Sequence, residues 1–79
     1  MVLTDGISPW FVVRNKKGEL LDADMLVSNR ELWREKLKRA ISLRQTQGYR
    51  EIRRISEWQY RVTAPTGEIE DICIQEGPP

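Results

Sequence analysis

The reactive groups in this chain are one thiol, twelve carboxylates and thirteen cations, with no histidine among them. Without an imidazole neither a Cys–His nor a Ser–His pair can be built, and the commonest zinc ligand is missing. Cys73 lies between Ile72 and Ile74, which is the setting of a packed thiol, and a single Cys closes no intrachain disulfide. The carboxylates gather in two places. Asp22 and Asp24 share a strand face, but no further ligand stands beside them. Glu70 and Asp71, close to Glu68, alternate to opposite faces and do not converge. Nothing buries one acid of a pair to fit it for proton transfer. Gly18, Gly48 and Gly67 each end a separate element, so no glycine-rich phosphate loop is present. The expected chemistry is binding, with no catalytic residue, cofactor, metal or small-molecule substrate.

The cations are unevenly spread. Between Arg30 and Arg61 stand ten bases against four acids, a local charge of +6, while residues 62–79 hold four acids and no base. A one-signed field of this kind attracts partners, and opposite segments can pair within or between chains. One reading lays Arg34, Lys38, Arg39, Arg50 and Arg53 along the phosphates of a nucleic acid. Against it, Glu31 and Glu35 sit three or four residues from Arg34, Lys38 and Arg39 and neutralise much of the helix face. The sequence pI of about 7.9 is also low for a nucleic-acid module.

These groups must be positioned by a chain of only 79 residues, enough for one small domain with much of its surface wet. Trp10-Phe11-Val12-Val13 has strand composition. Asn15-Lys16-Lys17-Gly18 then suits a three-residue hairpin loop with Gly18 left-handed. That turn predicts a hairpin of 9–14 against 19–25, with Val13 opposite Leu21 and Phe11 opposite Ala23. Ser28 and Glu31 form a capping box, Val27 and Leu32 a hydrophobic staple. Trp33, Leu37, Ala40 and Ile41 then repeat with helical spacing, Leu32 and Leu43 widening one edge of the stripe, up to Gly48. A helix over 29–47 follows.

From Ile52 onward, alternation sets Trp58, Tyr60 and Val62 on one face, and Ala64-Pro65-Thr66-Gly67 makes a second turn. A three-residue loop there puts Tyr60 opposite Ile72, Trp58 opposite Ile74 and Arg61 opposite Asp71, joining apolar to apolar and charge to counter-charge. The predicted fold is α+β: a single domain over 9–75, order ββαββ, an antiparallel sheet with one helix on one face. Residues 1–8 are read as a flexible leader and 76–79 as a flexible tail.

One helix covers one face of such a sheet, yet apolar residues occupy both parities. Trp10, Val12 and Leu20 in the first hairpin, and Ile55 and Ile69 in the second, fall on the side away from the helix. This surplus predicts a non-catalytic protein-interaction or regulatory module that associates with itself or another protein through the uncovered face. Trp10, Val12, Leu20, Ile55 and Ile69 form the expected contact, with Arg61 and Asp71 setting charge register. The alternative is the nucleic-acid binder described above. No apolar run approaches the roughly 20 residues that span a bilayer, and no secretory leader is evident, so a cytoplasmic location without membrane contact is expected.

Overall fold

The computed structural model describes residues 8–79. Most of the expected leader, 1–7, lies outside the described residues. The chain runs β1 (Pro9–Asn15), β2 (Leu20–Met25), α1 (Arg30–Thr46), β3 (Glu51–Ser56), β4 (Gln59–Thr63) and β5 (Ile69–Glu76). All strand pairs are antiparallel, in the order β2-β1-β5-β4-β3, so β2 and β3 form the two edges. The α+β class and the single helix on one face agree with the sequence reading. The strand count does not: there are five strands, because the segment read as one strand from Ile52 folds back at Glu57-Trp58.

That hidden hairpin has a tertiary cause. Its tip contains no Gly, Pro or Asn. Instead Trp58 is buried with its ring edge-on to Trp33 at 5.6 Å, and Arg34 bonds Glu57 at 2.7 Å while lying over the Trp58 ring. Two adjacent helix residues thus hold both tip residues. A bulge between Arg54 and Ser56 leaves Ile55 unpaired beside the tip.

Both glycine turns form as expected, with Gly18 and Gly67 at positive φ. The β4–β5 register is the predicted one: Tyr60 pairs Ile72, Arg61 pairs Asp71, and the Ile74 N–H donates to the Trp58 carbonyl. In the first hairpin Arg14 pairs Leu20, but a bulge then shifts the register, and Val13 meets Asp22 while Phe11 meets Asp24. The shift turns Asp22 and Asp24 toward the helix, where Lys36 reaches Asp24 at 3.0 Å.

Cross-strand rows define the core. Phe11–Ile74, Val13–Ile72–Tyr60 and Glu70–Val62–Ile52 face α1, which presses Trp33, Leu37 and Ala40 onto them. The helix is capped by Asn29, whose side chain accepts from the Glu31 N–H at 3.0 Å, one residue later than expected. Val27 and Leu32, the expected staple, both stay exposed; the Val27 carbonyl instead accepts a bond from the Trp33 indole at 2.6 Å. At the other end Gly48 takes φ +85°. The Gly48 and Tyr49 N–H groups then close onto the carbonyls of Gln45 and Arg44, a Schellman cap. β5 continues through Glu76, and the Gly77 N–H donates to Ser8, so the sheet runs into the segment read as a tail. Among the described residues no helix is long and apolar enough to cross a membrane.

Candidate interaction surface

β5, the most acidic strand, lies near the middle of the sheet and not at an edge. Glu70 and Asp71 are paired inside the fold. Glu70 points to the helix, where its carboxylate accepts from Arg44 Nε at 3.0 Å and from the Tyr49 hydroxyl at 2.7 Å. The Arg44 and Glu70 side chains are only 15% and 14% exposed. Burial first, and then the bond to Glu70, push the Tyr49 phenol above its ordinary pKa of 10.0. On the far face Asp71 takes Arg61 at 2.8 Å, and that contact raises the Arg61 pKa. Arg61 and Asp71 therefore pair between β4 and β5 of one chain, and their charges are already met there. The segregation of charge along the chain pulls the monomer together.

The sheet face away from α1 is closed more fully than sequence parity implies. Val12, expected as a contact residue, is 0% exposed. Arg14 lies in the row on one side of it and Gln75 in the row on the other. Their bond at 3.1 Å therefore crosses the row of Val12 and Cys73. Trp10 and Ile69 are half-buried. Across the middle of this face runs the polar row Arg14–Asp71–Arg61–Arg53, in which Asp71 meets Arg61 and one acid stands against three bases. Burial raises the Cys73 thiol pKa, with Arg14 acting weakly the other way. Of the expected contacts, Leu20 (51% exposed) and Ile55 (48%) remain open, at opposite edges of the sheet.

The five cations expected along a nucleic acid are dispersed. Arg34 and Lys38 line a groove between α1 and the β3–β4 hairpin. Arg39 lies on the opposite flank of the helix, in the clefts over β2. Arg50 precedes β3, its N–H donating to Thr63, and Arg53 belongs to the face away from α1, beside Arg61. No one surface gathers all five.

What the structure does gather is apolar. Among the described residues, six of the seven exposed large apolar side chains (Leu20, Leu21, Met25, Val27, Leu32 and Leu43) stand on or beside β2, and only Ile55 is elsewhere. Met25 and Val27 are 66% and 63% exposed. Leu32 and Leu43 are the helix residues that widen the stripe toward this side. The other edge strand, β3, is instead studded with Glu51, Arg53 and Arg54. Of these residues only Leu20 was singled out from sequence as a contact. The rest carry no local signal, because nothing in the chain says which strand lies at the edge.

Comparison with protein-family models, curated proteins and solved structures returned no match.

Proposed function

We propose that the protein is a non-catalytic interaction module that self-associates by pairing its β2 edge with the β2 edge of a second copy. The carrying observation is the contrast between its two sheet edges. Exposed strand edges invite pairing, and proteins blunt the edges they do not use with charge. β3 is blunted in that way; on β2 Asp22 and Asp24 turn toward α1, the exposed Leu20 and Met25 leave the other face apolar, and Val27, Leu32 and Leu43 add exposed apolar surface on the helix side.

The occupant is a second copy because the residual charges of this flank complement each other. Lys36 and Asp24 pair within the chain, whereas Asp22 and Arg39, in the same cleft, form no ion pair among the described residues. A two-fold contact presents each copy's spare acid and base to the other's, the self-complementarity that isologous interfaces require. The lone, half-buried thiol suits a reducing cytoplasm.

Sedimentation equilibrium up to millimolar concentration tests the reading. The expected result is a dimer of the 9.3 kDa chain that Leu20→Lys with Met25→Lys converts to monomer without loss of helix signal. A wild-type chain that stays monomeric throughout that range overturns it.

A further inference from the structure

The groove between α1 and the β3–β4 hairpin lies on the opposite side of the molecule from β2 and encloses about 520 Å³. One helix cannot cover a five-stranded sheet, and β4 and β3 protrude beyond it. Leu37, Ile41 and Tyr60 make an apolar floor, and Arg34, Lys38 and Arg54 stand around it. The one acid in the lining, Glu57, is taken by Arg34 at 2.7 Å. Lys38 and Arg54 have no carboxylate partner among the described residues; Arg54 reaches only the Ser56 carbonyl, at 3.4 Å. Beside the groove runs the free edge of β3, made basic by Arg53 and Arg54 with Arg50 just ahead, against Glu51.

We propose that this groove binds an extended acidic peptide segment of another protein, added as a strand to β3, with apolar side chains on Leu37, Ile41 and Tyr60 and carboxylates against Lys38 and Arg54. Each part of the surface meets one part of such a ligand. The strand edge supplies backbone donors and acceptors, and the inward side chains, every second residue of the added strand, meet the apolar floor or the cations in turn. A basic edge also repels a second copy of itself, so β3 discriminates against the self-pairing assigned to β2.

A nucleic acid fits less well. The groove lining offers two unpaired cations, which neutralise about two phosphates and release few counterions, and Arg53 faces the other side of the sheet. No exposed aromatic platform offers stacking either, since Trp58 is buried and Tyr60 half-buried.

The test titrates full-length protein, labelled with ¹⁵N, with three probes: a soluble Glu–Leu peptide of Leu-Thr-Glu-Thr repeats, which puts Leu and Glu by turns on one face of a strand, its Lys–Leu counterpart with Lys for Glu, and a single-stranded oligothymidylate of matched charge. The Glu–Leu peptide is expected to bind alone, weaken with salt, and shift the amide signals of Lys38, Ile41, Arg54 and Tyr60. Lys38→Glu with Arg54→Glu, two exposed positions, is expected to weaken it about tenfold or more. Leu20→Lys with Met25→Lys is expected to leave it unchanged, which separates this site from self-association. Failure of the Glu–Leu peptide to bind overturns the proposal, as does binding insensitive to the charge reversal. Preferential binding of the oligothymidylate overturns it in favour of a nucleic-acid partner. If the double reversal unfolds the chain, Ile41→Ser serves in its place, and undiminished binding by that variant likewise overturns the proposal.

Discussion

Glu70→Ala is the sharpest perturbation of the network that joins the basic helix to the acidic strand. Glu70 receives two bonds, from Arg44 Nε at 3.0 Å and from the Tyr49 hydroxyl at 2.7 Å, in a setting where Arg44 and Glu70 are about six-sevenths covered. Removing one member of a fully buried pair costs about 3–5 kcal/mol because a charge is left unmatched. Here two things soften the loss. Both side chains keep some water contact, and Arg44 retains a bond from Nη1 to the Ala40 carbonyl at 3.1 Å.

The expected cost is therefore about 2–3 kcal/mol, with Glu70→Gln at about half of it because an amide oxygen still accepts one bond. A domain of this size holds only about 4–12 kcal/mol in all. At about 4–8 °C per kcal/mol, Glu70→Ala lowers Tm by roughly 10–20 °C. Thermal melts followed by circular dichroism, with urea titration as a second measure, read this directly. A double-mutant cycle with Tyr49→Phe is expected to give a coupling of about 1 kcal/mol. If Glu70→Ala moves Tm by less than about 3 °C, the pair behaves as a surface salt bridge, and charge segregation along the chain does not hold this fold together.

Two further predictions follow from the helix and its terminus. Asn29→Ala removes the side-chain acceptor of the Glu31 N–H and is expected to cost about 1 kcal/mol, whereas Ser28→Ala is nearly neutral; equal effects in urea titrations contradict the observed cap. Tyr49 is held protonated in the folded chain above its ordinary pKa, so its contribution is complete at neutral pH. That contribution starts to fall as pH passes about 10, where the unfolded phenol ionises first. Stability against pH is expected to drop more steeply above that point for wild type than for Tyr49→Phe, and parallel alkaline limbs refute the assignment.

The elements whose cause is local were readable in the residues. Gly18 and Gly67 close their turns because only glycine sits easily at the positive φ both adopt, and each turn fixes the pairs nearest to it. The helix follows from the 3.6-residue spacing of Trp33, Leu37 and Ala40, and its stop from Gly48. Pairing apolar with apolar selected the β4–β5 register and so placed Arg61 against Asp71. What depends on contacts between distant segments was not readable. The Glu57-Trp58 turn is made by Trp33 and Arg34, so its own residues announce nothing. The bulge that turned Asp22 and Asp24 toward α1 is one residue of slippage that the alternation pattern does not mark. Strand order mattered most. Setting β5 inside the sheet committed Glu70 to Arg44 and Tyr49 and Asp71 to Arg61, and setting β2 at the edge exposed Leu20, Leu21 and Met25. Side-chain parity records which way a residue points along its own strand; whether anything lies beside that strand is decided only when the whole sheet has assembled.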